Sequence, residues 1–198
     1  MILCLDLSLK ITGWAKFSKD GKLIAKGRIT PDEGLDNCFK LHYTVERVKD
    51  LFDKVEELII EDIFFGKNFK SVKLLAQLAG GCIYAWVNYK YKIPVFYNAA
   101  QARALAGVHG HSHKSEIQCF VIDRYGFAEP NQIEIYQKEI EALKKEKKTE
   151  KITKGQFDYR MDKLSEKIYL ETGQGENICD AIVLGIAYSN KIKKLGEE

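Results

Sequence analysis

The chain has 198 residues, of which 45% are hydrophobic and 30% are charged, and its formal net charge at pH 7 is +3. This length and apolar content predict a single domain over residues 1–198, and the weakly basic balance is compatible with nucleic-acid binding without indicating it. No stretch approaches the roughly 18 apolar residues of a membrane span, and no signal-peptide pattern opens the chain, so we expect a soluble cytoplasmic protein with no membrane contact.

Three antiparallel strands are predicted at the start of the chain. Residues 1–8 and the alternating segment 12–18 form the first two strands, joined by a tight turn. The pair Asp20-Gly21 then predicts a hairpin into a third strand at 22–30.

Helices and strands alternate in the middle of the chain. Apolar residues at near-helical spacing predict an amphipathic helix over 35–54, and the run ELIIE predicts a short buried strand at 57–61. The remaining elements predicted here are a long helix at 69–91, a strand opened by Pro94, and helices at 98–106 and 114–124.

The segment 131–172 is highly charged and poor in apolar residues. Its composition favours a helical hairpin or arm inserted into the domain, and the alternative is a partly disordered loop. A last helix follows at 176–193. This order of elements predicts an α/β fold in which helices flank a mixed five-stranded sheet, with the fourth strand beside the first.

Cysteine usage gives no sign of a disulfide framework or a zinc site. The five cysteines are scattered and form no CxxC pair. Four of them have apolar neighbours, so we expect small core residues in a reducing compartment.

Acidic residues interrupt two of the apolar strands. Asp6 lies in the first predicted strand and Glu61 ends the fourth, while Asp180 lies in the first turns of the last helix. Asp6 could instead cap the turn that follows it, and acids near a helix start are expected from the helix dipole alone.

A shared site is the more specific interpretation of these acids. The fourth strand beside the first would bring Asp6 and Glu61 together, and helical spacing puts Glu176 or Asn177 on the same face as Asp180. Clustered carboxylates repel one another, and a hard divalent cation such as Mg²⁺ relieves that repulsion. Two such ions can clamp a phosphate for in-line phosphoryl transfer.

Several blocks of the chain resemble the RuvC-type Holliday junction resolvases, which are RNase H-like nucleases. The blocks occur in the family's order, and together they cover most of the chain outside 131–172. They are LDLSLKITGWA (5–15), IIEDIFFGKNFKSVKLLAQLAGGCIYAWV (59–87), IPVFYNAAQAR (93–103), HKS (113–115) and CDAIVLGIAY (179–188).

The resemblance implies a homodimeric endonuclease that nicks four-way DNA junctions symmetrically, with Mg²⁺ as cofactor and Mn²⁺ as a substitute. The catalytic, metal-binding acids of the family match Asp6, Glu61 and Asp180. A fourth family position, usually Asp or His, is Asn177 here, and Glu176 is the competing candidate for that ligand.

Further positions match or adjoin the family's DNA contacts. Phe64 corresponds to the aromatic residue that stacks on an unpaired base, with Phe65 as its competitor. Lys114 matches a basic residue expected to stabilise charge on the scissile phosphate. The other candidate DNA contacts are Lys67, Lys70 and Arg103.

Two alternatives to a strict junction resolvase remain open at this point. One is a broader nuclease for forks and flaps, and the other is a junction-binding protein with weakened catalysis, motivated by Asn177. The charged insertion could follow a junction arm or cover a dimer surface, although its many glutamates favour a solvated helix.

Overall fold

The computed structural model describes residues 1–63 and 68–196. Its centre is a mixed five-stranded sheet in the order β3-β2-β1-β4-β5. The first three strands are antiparallel, and β4 and β5 continue the sheet parallel to β1. The predicted mixed sheet, with the fourth strand beside the first, is therefore confirmed. The strands are β1 (Ile2–Asp6), β2 (Thr12–Phe17), β3 (Leu23–Ile29), β4 (Glu57–Glu61) and β5 (Val95–Tyr97).

Seven helices are found in the described part of the chain. Most lie within a few residues of their predicted bounds, whereas the first is shorter than predicted at both ends. Its start is set by Asp36, whose side chain accepts a hydrogen bond from the backbone N–H of Cys38, and it ends at Lys49. The helices are α1 (Asn37–Lys49), α2 (Phe69–Lys90), α3 (Ala99–Ala106), α4 (Lys114–Tyr125), α5 (Pro130–Lys148), α6 (Lys154–Thr172) and α7 (Glu176–Gly196).

The sheet is covered on both faces. Leu3 and Leu5 of β1 belong to a core that includes Trp86 of α2, whereas Cys4, between them, belongs to a core formed with α3, α4 and α7. This division follows from the alternation of side chains along a strand. Four of the cysteines are buried and Cys38 is exposed.

The charged segment folds as a helical hairpin, which we call the arm (residues 130–172). Buried side chains of α5 and α6 form a third core of their own, which continues onto Cys119 and Ile122 of α4. The predicted helical arm is therefore confirmed, and the alternative prediction of a disordered loop is wrong. The arm folds because an apolar stripe along its helices can be buried. Its α5 part is Ile133, Tyr136, Ile140 and Leu143.

No helix among residues 1–63 and 68–196 is long and apolar enough to span a membrane.

Candidate active site

Asp6 and Glu61 lie at the same edge of the sheet. Strands β1 and β4 are parallel, and Leu5 pairs with Ile60 in their register. The next residue of each strand is Asp6 on β1 and Glu61 on β4. Parallel register thus places both carboxylates beside each other, held by a rigid and buried pair of strands.

Helix α7 closes over this edge because β2 carries a glycine there. Gly13 pairs with Asp6 across the antiparallel β1–β2 register. A Cβ built on Gly13 would lie 2.0 Å from the backbone oxygen of Asn177, well inside van der Waals contact. The first turn of α7 can therefore approach the sheet only where a side chain is missing.

Two side chains of α7 reach the acidic edge and each finds a partner there. Nδ2 of Asn177 donates a 3.0 Å hydrogen bond to Oδ2 of Asp6. Oδ1 of Asp180 lies 3.3 Å from Nη2 of Arg103 on α3, and Arg103 also donates from Nη1 to the backbone oxygen of Ser112 at 3.1 Å. Both members of the Arg103–Asp180 pair are 18% exposed, so the pair is largely shielded from water.

The electrostatics show that the three acids share one neighbourhood. Burial, together with the charges of Asp180 and Glu61, raises the pKa of Asp6 well above its usual range, against the hydrogen bond from Asn177. Burial and the charge of Asp180 raise the pKa of Glu61 to about 7. Burial also raises the pKa of Asp180, although Arg103 opposes that shift. Such mutual repulsion is what a bound cation would relieve.

Glu176 and Lys114 form a separate ion pair at the mouth of this site. Nζ of Lys114 lies 2.7 Å from Oε2 of Glu176. Burial would lower the pKa of Lys114, but the hydrogen bond and charge of Glu176 outweigh it, so the pKa is raised and the lysine stays charged. Of the two candidates for the fourth ligand, Asn177 is thus the one in contact with Asp6.

The donor set fits a hard divalent cation in kind. Three carboxylates and one amide offer only oxygen ligands, which magnesium and manganese prefer. Among the described residues, no three side chains of Asp, Glu, His and Cys converge into a complete metal-binding group. In the structure, the guanidinium of Arg103 balances part of the negative charge of the site by pairing with Asp180.

The remaining predicted site residues fall into two groups. Phe64, Phe65 and Lys67 lie outside the described residues. Lys70 is exposed in the first turn of α2, as a backbone contact requires. Arg103 is turned toward Asp180 rather than outward. Sequence reasoning missed that pairing, since nothing in the local pattern links residues 77 positions apart.

The family model and the curated relatives that match this chain carry the same description. Residues 2–134 match the family model described as crossover junction endodeoxyribonuclease RuvC. The protein of that name from Caldanaerobacter subterraneus subsp. tengcongensis is 30% identical over 100 residues. That alignment covers 50% of this chain and 60% of the relative, so the chain spans somewhat under two thirds of the relative's length.

Solved structures extend the likeness to the whole fold. The Thermus thermophilus RuvC structure matches with a TM-score of 0.63 at 13% identity, covering 98% of this chain and 95% of that chain. A second structure, described as T. thermophilus RuvC in complex with Holliday junction substrate, matches with a TM-score of 0.59 at 10% identity, covering 98% and 94%. The expected RNase H-like fold is confirmed.

Proposed function

Because the chain belongs to the RuvC family of crossover junction endodeoxyribonucleases, we propose that it is a metal-dependent endonuclease that resolves four-way DNA junctions. The Thermus thermophilus relative has been solved in complex with a Holliday junction substrate, which supports the same substrate here. The products would be paired symmetric nicks with 5′-phosphate and 3′-hydroxyl ends, which a ligase can seal.

One observation carries this proposal. Asp6 and Glu61, which are 55 positions apart in the chain, end neighbouring parallel strands, and Asp180 from α7 joins them closely enough to raise the pKa of both. Burying three carboxylates together costs stability, and a fold that retains such a cluster without function would be unusual.

The residues have distinct roles in this proposal. Asp6, Glu61 and Asp180 would hold Mg²⁺ or Mn²⁺, with the amide oxygen of Asn177 as the fourth ligand. When bound, such a cation polarises the scissile phosphate and lowers the pKa of a bound water. The bond from Asn177 holds the Asp6 carboxylate in one orientation. Lys114, kept charged by Glu176, would attract the phosphate.

Two further parts of the proposal concern assembly and location. Symmetric nicking of a four-way junction requires two sites related by a two-fold axis, so we propose a homodimer. We also propose that the protein works in the cytoplasm.

A nicking assay with Asp6→Asn tests the function. A synthetic four-way junction is incubated with Mg²⁺, and the cut positions are mapped on all strands. We expect the variant to lose at least ~10²-fold in rate because a central anionic ligand is gone, while junction affinity stays within a few-fold. Asp53→Asn, at an exposed position, is the control and should cut like the wild type. Retained cleavage by Asp6→Asn would falsify the assignment.

A second candidate function is a junction-binding protein with weakened catalysis. The observation in its favour is Asn177, which contacts Asp6 without adding a negative charge. Junction binding without nicking at any Mg²⁺ or Mn²⁺ concentration would favour this candidate. A panel of forks, flaps and four-way junctions, compared at equal enzyme concentration, separates a strict resolvase from the broader branched-DNA nuclease.

A further inference from the structure

A groove of about 820 Å³ opens beside the candidate active site. Its walls are the loop 109–113, the start of α4, and the tip of the arm where α5 ends and α6 begins. Two acids, Glu116 and Asp158, line it, together with three histidines of the loop. Against these stand six permanent cations, which are Arg103, Lys114, Lys144, Lys147, Lys148 and Lys154.

The groove is continuous with the candidate active site. Arg103 contacts Asp180, and Lys114 contacts Glu176 at the start of α7, and both cations also line the groove. A polyanion whose reacting phosphate lay at the acidic edge would therefore meet the groove next. The far wall of the groove belongs to the arm, which gives this highly charged segment a position relative to the substrate.

Part of the positive charge of the arm is neutralised within the arm. Four of its cations pair with acids of the arm itself, and none of these four lines the groove. The pairs are Lys138–Glu134, Arg160–Glu146, Lys163–Glu166 and Lys167–Glu139.

Three of the four lysines that the arm contributes to the groove form no salt bridge within the part of the chain that the structure describes. Lys144 pairs with Glu116 of α4, and Lys147 lies over the ring of Phe157, 4.2 Å from its centroid. Among the described residues, Lys148 and Lys154 have no carboxylate within salt-bridge distance. Arg103, Lys114 and Lys144 are in ion pairs, whereas the other three groove cations form no salt bridge within residues 1–63 and 68–196, and it is this gathering of lysines on one concave surface that favours an anion.

Two helix N-termini add to the positive potential. Helices α4 and α6 begin with Lys114 and Lys154, and both of these lysines line the groove. The N-terminus of a helix carries a partial positive charge and free backbone N–H groups, which favour phosphate.

We infer that this groove binds the phosphate backbone of the duplex arm next to the nicked strand, with the tip of the arm as one wall. The inference rests on the proposed function, because DNA is brought to the groove by the neighbouring acidic site. It assigns a role in substrate binding to the arm, most of which lies outside the match to the family model at residues 2–134. Such contacts are independent of base sequence.

Two double variants of equal charge test the inference. Lys148→Gln with Lys154→Gln removes two groove cations that, among the described residues, have neither a salt bridge nor a cation–π contact. Lys145→Gln with Lys151→Gln removes two exposed lysines from the same end of the arm that do not line the groove. Circular dichroism and thermal melting establish that both proteins are folded. Affinity for a four-way junction is then measured from 50 to 300 mM salt, together with the nicking rate at saturating protein.

The groove variant should bind about tenfold more weakly at 0.1 M salt, and the slope of log affinity against log salt should flatten by about 2, since two phosphate contacts are lost. The control should change by less than half as much, and it should nick at the wild-type rate. Equal losses of junction affinity in the two variants, or no loss in either, would overturn the inference that the groove binds DNA. Absent nicking with the salt-slope difference intact would instead overturn the proposed function and leave the groove standing.

Discussion

Asn177 and Asp6 are 171 positions apart in the chain, and yet a 3.0 Å hydrogen bond joins their side chains. The bond connects the first turn of α7, the helix that carries Asp180, to the end of β1, which carries Asp6. The amide of Asn177 orients the Asp6 carboxylate without adding a negative charge to the site. The effect of this missing charge on metal binding and on stability can be measured.

Asn177→Asp should reduce the Mg²⁺ concentration needed for half-maximal nicking by roughly tenfold, because a fourth carboxylate increases the charge of the ligand set. The same change should lower the stability of the metal-free protein, since a further acid is added beside Asp6. The measurements are a nicking titration against Mg²⁺ and thermal melting in EDTA.

Glu176→Gln is the matched control for this prediction. Glu176 pairs with Lys114 rather than with Asp6, so its neutralisation should leave the Mg²⁺ requirement within about twofold of the wild type. If Glu176→Gln raises the requirement strongly and Asn177→Asp leaves it unchanged, Glu176 is the fourth ligand and the assignment to Asn177 is wrong.

Glu61 should make the metal-free protein less stable as the pH rises. Burial and Asp180 raise the pKa of Glu61 from 4.5 to about 7 in the folded state, whereas an unfolded chain ionises near its ordinary value of about 4.3. Between these two values the folded state binds more protons, so the free energy of unfolding decreases as the pH rises. Above pH 7 the full penalty is present.

Glu61→Gln removes that penalty. In EDTA at pH 8 the variant should be more stable than the wild type by about 1–3 kcal/mol, and its stability should vary less between pH 5 and 7. Added Mg²⁺ should stabilise the wild type more than the variant. Urea denaturation at several pH values gives these numbers. Glu57→Gln, at the opposite end of β4, should keep the wild-type slope, and an equally steep slope in Glu61→Gln would refute the prediction.

Gly13→Ala should destabilise the fold and impair nicking together. The added Cβ would overlap the backbone of Asn177, and relieving that overlap by moving α7 away from β2 should cost about 1–3 kcal/mol. The same movement would pull Asn177 away from Asp6. Urea denaturation and the nicking rate at a temperature well below melting report the two effects separately.

Gly80→Ala provides the comparison for that substitution. Gly80 lies within α2, and nothing stands within 4 Å of a Cβ built there. This variant should therefore be neutral or more stable by up to about 1 kcal/mol, as expected from helix propensity. A Gly13→Ala protein as stable as Gly80→Ala would show that α7 does not depend on the glycine for its approach.

Much of the fold was accessible from local patterns. The run ELIIE predicts β4 with the bounds that the structure has, because a short apolar run ending in an acid has few other interpretations. The arm was predicted only in part, because its high charge left a disordered loop open beside the helical hairpin. The structure shows what decides between them, which is the buried stripe Ile133, Tyr136, Ile140 and Leu143 at helical spacing.

The contacts within the site were not accessible in this way. Arg103 looks like a surface cation in the sequence, and only the packing of α3 against α7 turns it toward Asp180. Gly13 looks like a turn residue, and only the position of Asn177 shows why no side chain fits there. Periodicity indicates which face of an element is buried, but the partner across the interface depends on the whole tertiary arrangement.

Residues 173–175 are all that separates the arm from α7, and the buried side chain of Gln118 ties this junction together by donating to the backbone oxygens of Ser165 and Gln174. The base of the arm is thus built into the support of α7, whereas residues 149–153 at its tip are an exposed turn apart from the half-buried Ile152. Length can change at the tip without disturbing the acids, but not at the base. On the proposed function, extending or trimming that turn alone would change how far the groove follows DNA.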